Sequence, residues 1–325
     1  MPISHDKIAV VLFQLGGPDS LEAIEPFLFN LFCDPDIVDF PGAFLARKPL
    51  AKFISARRSK RAIGNYRAIG GKSPILDLTN SQAASLEHEL NKTISARVFV
   101  AMRYWHPLTE SVLLDIKDKT FRKIILLPLY PQYSKATTGS SFNEWRRLLL
   151  LHRLDIPSAS ILSFHDHPLY IDAIVEKINL ALKDFSNIDQ SEIDLVFSAH
   201  GTPVSLVRKG DPYKKQIEET VRLVMQAGKW RSPDLLCYQS KVGPVKWLEP
   251  SLKQTIRALA EKKRRHLLII PVSFVTDHIE TLHEINIEIR KEAGMLGFKS
   301  FNLMPALNDS PIFMKCLSEL VLSNI

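Results

Sequence analysis

The stretch Ile193-Asp194-Leu195-Val196-Phe197-Ser198-Ala199-His200-Gly201-Thr202-Pro203 decides the fold class. Its largely apolar run, 193–197, has the composition of a parallel strand covered on both faces, and it ends in a small-residue turn carrying an imidazole. Ligands in open α/β sheets collect beyond the carboxyl ends of strands, so His200 stands where chemistry is expected. The competing reading is a histidine that turns the chain and bonds a neighbouring carbonyl. A second ionisable cluster, Asp277-His278-Ile279-Glu280-Thr281-Leu282-His283-Glu284, also follows an apolar run. Two strand ends that supply ionisable groups can face one cleft.

Outward from this stretch, short apolar runs recur at 8–12, 98–102, 124–128, 161–164, 235–238 and 267–272. Between them lie stretches of helical period at 21–32, 76–90, 108–117, 140–151, 169–183, 213–227, 248–261 and 280–293. This alternation predicts an α/β protein of two doubly wound, Rossmann-like domains with parallel sheets. Residues 8–15 before Gly16-Gly17-Pro18 and residues 193–200 before Gly201-Thr202-Pro203 open the halves alike, which places the domains at 1–165 and 166–325. The last helix, around 312–322, is left open between its own domain and the first.

A length of 325 residues suits two domains, and a hydrophobic share of 46% supplies a core. The N-terminus has no secretory pattern, and the longest apolar runs, such as 267–275, fall well short of the roughly 20 residues that span a bilayer. The expectation is a cytoplasmic protein, soluble or peripheral to a membrane. Cys33, Cys237 and Cys316 are far apart and form no Cys-x-x-Cys pair, as expected of reduced, buried thiols. The net charge of +7 is concentrated: residues 40–76 contain no acid but include Arg47, Lys48, Lys52, Arg57, Arg58, Lys60, Arg61, Arg67 and Lys72. Phe44, Leu45, Leu50, Phe53 and Ile54 interleave with these cations, as in a helix that rests on an anionic membrane or grips an amphiphilic anion. A plain solvated helix face is the common alternative. Nucleic acid is disfavoured, because no helix-turn-helix, zinc-finger or RNA-recognition motif accompanies the charge.

Gly16-Gly17 does not extend to Gly-x-Gly-x-x-Gly, and Ser198-Ala199-His200 lacks the nucleophile elbow of hydrolases. Glu280, Glu284 and Glu288 recur every four residues, which puts them on one face of an α-helix, where unpaired carboxylates repel by about a few tenths of a kcal/mol per pair. The row is either a wet acidic surface or a path for a divalent cation, and His278 and His283 beside it suit iron, zinc or cobalt better than magnesium. In the first half, Tyr130-Pro131-Gln132-Tyr133-Ser134 and Arg103-Tyr104-Trp105-His106-Pro107 end strands with rings and a cation, surroundings fit for a large flat aromatic acid. Taken alone, such tyrosines more commonly roof a core.

Over about 8–325 the chain resembles the ferrochelatases, which insert ferrous iron into a porphyrin. The resemblance is carried by Leu15-Gly16-Gly17-Pro18, Tyr66-Arg67-Ala68-Ile69-Gly70-Gly71-Lys72-Ser73-Pro74-Ile75, Arg103-Tyr104-Trp105-His106-Pro107-Leu108-Thr109, Tyr130-Pro131-Gln132-Tyr133-Ser134, Gly210-Asp211-Pro212-Tyr213, Gln239-Ser240-Lys241-Val242-Gly243-Pro244 with Trp247-Leu248, and Asp277-His278-Ile279-Glu280-Thr281-Leu282. It implies a chelatase-like fold with four-stranded sheets. His200 would be the catalytic imidazole and Glu280 its acidic partner, with Glu284, Glu288 and His278 completing the metal side. Arg58 and Ser73 would hold porphyrin propionates with Arg57 and Arg61 nearby, on a lip of about 40–75 whose 40–61 part rests against the membrane. Leu15, Arg103, Tyr104, Tyr130, Trp247 and Phe274 would line or support the pocket.

The family's usual Ser-Ala-His-Ser-x-Pro is here Ser198-Ala199-His200-Gly201-Thr202-Pro203, a changed turn that keeps the histidine. Lys135 stands where cluster-bearing members have a cysteine and the chain ends at Ile325, so no iron–sulfur cluster is expected and Fe2+ enters as substrate. The photosynthetic members' C-terminal membrane helix has no counterpart either. The implied reaction is insertion of Fe2+ into protoporphyrin IX to give protohaem. Coproporphyrin III as substrate, a cobalt or nickel chelatase, and a non-catalytic porphyrin carrier are the alternatives. Oligomeric state and iron donor are not legible.

Overall fold

Seven consecutive residues, Ile8–Gln14, form a first strand, β1, in which every side chain is buried, as a strand must be when helices cover both faces of its sheet. The computed structural model describes residues 7–38, 43–117, 119, 121–241 and 245–325. Phe40, where the expected lip begins, and Val242, Gly243 and Pro244 of the 239–244 motif lie outside the described residues. The chain divides into two compact units, residues 1–163 with 314–325, and residues 164–313.

In the first unit β1 is joined by β2 (Ala96–Met102), β3 (Lys123–Pro128) and β4 (Ser158–Ser160) in the order β2-β1-β3-β4. All pairings are parallel, with Ile8 level with Ala96 on one side and Lys123 on the other. Ala9, Val11 and Phe13, two residues apart and so on one face of β1, pack with Phe99, Leu126, Trp145 and Leu148. The rings of Phe142 and Trp145 meet Phe13 edge-on, each at 6.0 Å. The second unit repeats the arrangement with β5 (Ile193–His200), β6 (Asp234–Gln239), β7 (His266–Ile270) and β8 (Ser300–Leu303), parallel throughout in the order β6-β5-β7-β8. Its core gathers Val196, Cys237, Leu267 and Ile269 with Ile256, Ile285 and Ile289. Each such side chain contributes about 1.5–3 kcal/mol by leaving water. In each sheet the chain crosses from the first strand to one neighbour and then back over to the other. The crevice beyond β5 and β7 is therefore a topological switch point, where α/β sheets bind ligands.

The structure corrects several expectations. The fourth strand is Ser158–Ser160 and not 161–164, because Ile161 closes the ladder with one bond to the Leu126 carbonyl (3.0 Å) and the chain then leaves the sheet. The edge strand β8 was not expected, since Ser300 and Asn302 interrupt any apolar run. The helix expected from 248 begins at Leu252, where Ser251 and Gln254 form a reciprocal capping box. Residues Glu280–Ile289 form a wide helix with i→i+5 bonding, continued as α-helix only over Arg290–Met295. Cys33 is half-buried, unlike Cys237 and Cys316. The basic segment is one 25-residue helix, Ala43–Arg67, whose small residues Ala51, Ser55 and Ser59 are buried at four-residue intervals. Among the described residues no helix is long and apolar enough to cross a membrane.

Candidate active site

His200 is the last residue of β5, and its side chain is 38% exposed, so it does not point into packed core. β7 ends at Ile270, level with Phe197, and no longer supplies ladder partners this far along. Side chains take over: Ser273 Oγ accepts from the His200 N–H (2.9 Å), and the Tyr213 hydroxyl donates to the His200 carbonyl (3.0 Å). The backbone that carries the imidazole is thereby held on both sides. Tyr213 is set in turn by Asp211, whose Oδ1 accepts from the Tyr213 N–H at 3.0 Å.

The imidazole Nδ1 lies 2.9 Å from Glu280 Oε2. Facing a carboxylate, Nδ1 carries the hydrogen, and the neutral ring keeps its lone pair on Nε2. The same Glu280 oxygen accepts from Ser240 Oγ at 2.8 Å and, weakly, from Gln239 Nε2 at 3.5 Å. Ser240 reaches the next carboxylate too, with Oγ 2.7 Å from Glu284 Oε2 and its N–H donating to Glu284 Oε1 at 3.2 Å. The carboxylates read as an unpaired row are thus partnered.

These contacts set the protonation states. Burial acts to lower the His200 pKa, but the Glu280 carboxylate at hydrogen-bond distance, with Glu284 behind it, outweighs burial and raises it. Burial acts to raise Glu280, yet His200 and then His278 hold it well below the usual carboxylate range. Glu284 is pushed upward by burial and by repulsion from Glu280. The site places a carboxylate that stays ionised next to one that protonates more readily.

His278 is buried, with Nδ1 3.0 Å from the Thr276 carbonyl and Nε2 turned toward Glu280 Oε1 at 3.9 Å. Phe274 meets both imidazoles edge-on, its ring centroid 6.1 Å from His200 and 4.7 Å from His278. Glu288 does not share the Ser240 bridge; its carboxylate lies 3.7 Å from His283 Nδ1, a partner five residues away. That spacing is brought together by i→i+5 bonding, as four-residue pairs are in an α-helix. Trp247 lies on a segment that pairs with the turn after His200, Leu248 N–H donating to the Thr202 carbonyl at 3.0 Å and Val204 N–H to the Lys246 carbonyl at 2.8 Å.

The other candidates belong to the first unit. Leu15 follows β1, and its carbonyl accepts from the Tyr104 N–H (3.1 Å) at the end of β2. Tyr104 is buried with its hydroxyl 2.5 Å from Asp34 Oδ2. Arg103 is spent on the same carboxylate (3.0 Å) and on Ser140 Oγ (2.8 Å), with its guanidinium over the Tyr104 ring. Burial raises the Tyr130 phenol, which stays neutral. Arg58 lies over the Phe32 ring at 5.6 Å, its pKa lowered by burial and then by Arg61. Arg57 and Arg61 are exposed. Ser73 is buried, and its Oγ accepts from the Ile75 N–H (3.4 Å) at the start of the helix Ile75–Leu90. A Cβ on Gly17 would stand 2.5 Å from that Oγ, so the Gly16-Gly17 turn makes room for Ser73. Sequence reasoning gave no role to Asp34, Tyr213, Ser240 or Ser273. Tyr213 and Ser240 stood within quoted motifs, but only the fold shows what they touch; Asp34 and Ser273 carried no signal.

The family model for Ferrochelatase matches residues 7–325. A protein of Geotalea daltonii named Ferrochelatase is 49% identical over 98% of both chains. One of Picosynechococcus with the same name is 44% identical over 98% of this chain and 83% of its own. Among solved structures, SirB from Bacillus subtilis with Fe3+ aligns with TM-score 0.56 at 11% identity, covering 98% of this chain and 95% of that one. CbiX, a terminal enzyme for sirohaem biosynthesis in denitrifying bacteria, aligns with TM-score 0.53 at 13% identity, covering 98% and 99%. At those identities the two structures speak for the fold alone.

Proposed function

Since this chain belongs to the ferrochelatase family, and is an enzyme that inserts Fe2+ into a porphyrin in haem biosynthesis, we propose that its porphyrin is protoporphyrin IX and that His200 removes the pyrrole protons. A free porphyrin carries two N–H hydrogens in the hole that the metal must enter. Each N–H bond breaks with its electron pair left on nitrogen, which then binds Fe2+, so two protons leave for one dication; His200 takes them one at a time, the imidazolium giving the first to solvent before it accepts the second. The observation that carries the assignment is the 2.9 Å contact of His200 Nδ1 with Glu280, which leaves Nε2 to accept a proton and stabilises the imidazolium that results. Among the described residues no three His, Cys, Asp or Glu side chains are gathered to hold a metal ion; in this reading Glu280 and Glu284, with His278 near, meet ferrous iron in passing with oxygen and nitrogen donors that suit it, and Glu288 and His283 lie further along the same helix.

The preference for protoporphyrin over the more highly charged coproporphyrin rests on the mixed character of the helix Ala43–Arg67. Phe53 is 64% exposed there among cations that can meet propionates. Arg58, with Arg57 and Arg61 beside it, is the propionate partner of this reading, and the same face rests on the anionic cytoplasmic surface of a membrane. The protein works without an iron–sulfur cluster. In support, Lys135 stands at the cysteine position of cluster-bearing members, and burial pushes the Cys237 thiol up to about 12, away from the thiolate that binds metals.

The test is anaerobic assay of the purified protein with ferrous iron and each porphyrin in turn, followed by absorbance. Protoporphyrin IX is expected to turn over faster, and faster turnover of coproporphyrin III would replace it as substrate. His200→Ala should abolish insertion while leaving porphyrin affinity within a few fold; wild-type rates in that variant would remove His200 from the mechanism.

A further inference from the structure

Ser240 follows the last residue of β6, and its backbone lies in the left-handed region at φ 61°, where serine is strained. In that conformation it turns two donors on two carboxylates. Its Oγ lies 2.8 Å from Glu280 Oε2 and 2.7 Å from Glu284 Oε2, and its N–H holds Glu284 Oε1 at 3.2 Å. Two carboxylates brought together repel each other, and donors from one fixed residue are what keep them converged. The Gly201 N–H donates to the Gln239 carbonyl at 2.7 Å and so ties the start of this turn to the end of β5.

We propose that Ser240 is a positioning residue that holds the Glu280 and Glu284 carboxylates converged for the incoming metal ion. The inference rests on the reading that these carboxylates receive the metal, and the controls keep the two apart. Ser240 bonds the Glu280 oxygen that also partners His200, so its loss reaches the chemical step through Glu280, whereas its two contacts with Glu284 bear on the metal alone. Co2+ affinity in the porphyrin-free protein is therefore the readout that isolates its role.

The experiment is a visible-absorption titration of the porphyrin-free protein with Co2+, a spectroscopic stand-in for Fe2+, together with KM for Fe2+ and for porphyrin and kcat. Glu284→Gln is the control for the underlying reading. If it leaves the Co2+ Kd unchanged, the carboxylates are not the metal's entry site and the whole account falls. If Glu284→Gln weakens Co2+, Ser240→Ala is expected to raise the Co2+ Kd and the Fe2+ KM by about tenfold, the size of a lost hydrogen bond to a charged group. The porphyrin KM should then stay within about twofold. Ser240→Gly separates positioning from backbone support, because glycine relieves the left-handed strain and removes the hydroxyl. It should weaken Co2+ as Ser240→Ala does while melting no lower than wild type. Wild-type Co2+ affinity in both Ser240 variants, beside a weakened Glu284→Gln, would overturn the role of Ser240 alone.

Discussion

At the scale of single residues, the proposed proton transfer turns on one oxygen of Glu280 and what it does to His200. The pair gives a worked sign for the pH profile. Burial lowers the His200 pKa and Glu280 more than restores it, so the folded value lies above the ordinary ~6.5. Below that folded value Nε2 already carries a proton and accepts none, and the rate should fall as pH drops through it. Glu280→Gln removes the raising charge and leaves burial. The acid limb of kcat should then move to lower pH, and the plateau should fall because the imidazolium loses its partner. A limb that stays in place would show that another group controls it. Arg103, expected to line or support the pocket, has its guanidinium anchored on buried Asp34 and on Ser140 just beyond the end of β2.

Among the elements, the wide helix Glu280–Ile289 differs most from its reading in sequence. Glutamates every four residues read as an α-helical face, but the segment is bonded i→i+5, which brings residues five apart together across a turn. Glu280 and Glu284 meet at Ser240, whereas Glu288 meets His283. Excising Ile287, which is 39% exposed, would let the segment return to i→i+4 bonding and carry Glu288 out of its present register. The helix content by circular dichroism should persist while iron insertion falls at least about tenfold; an unaffected rate would mean that the wide turn is incidental.

For the whole molecule, charge is the property that reaches furthest. The net charge of +7 is concentrated in a segment without acids, most of it on the helix Ala43–Arg67. A porphyrin with propionates approaches that field from a distance, and salt screens it over about 10 Å at 0.1 M. Raising salt from about 50 to about 500 mM should increase the porphyrin KM several fold and leave kcat at saturating porphyrin unchanged. A salt-independent KM would remove the basic helix from substrate capture.

How much was legible in the chain follows from what kind of information each feature needs. The run 193–200 determined a buried parallel strand with His200 at its carboxyl end, and the alternation around it determined two doubly wound sheets, because burial on both faces demands apolar runs that composition displays. The position of Glu280 after the apolar run 267–272 was legible for the same reason. Strand β8 and the limits of β4 were not, since edge strands of three or four polar-containing residues are decided by the neighbour they pair with. Only the tertiary structure decided that Ser240, in a left-handed turn beside Gly201, joins two glutamates, that Tyr213 and Ser273 hold the backbone of His200, and that Asp34 claims Arg103. Each of these is a contact between residues some 13 to 73 positions apart along the chain. Local propensity and periodicity act over one or two turns of chain, and such contacts exist only after the sheets have closed.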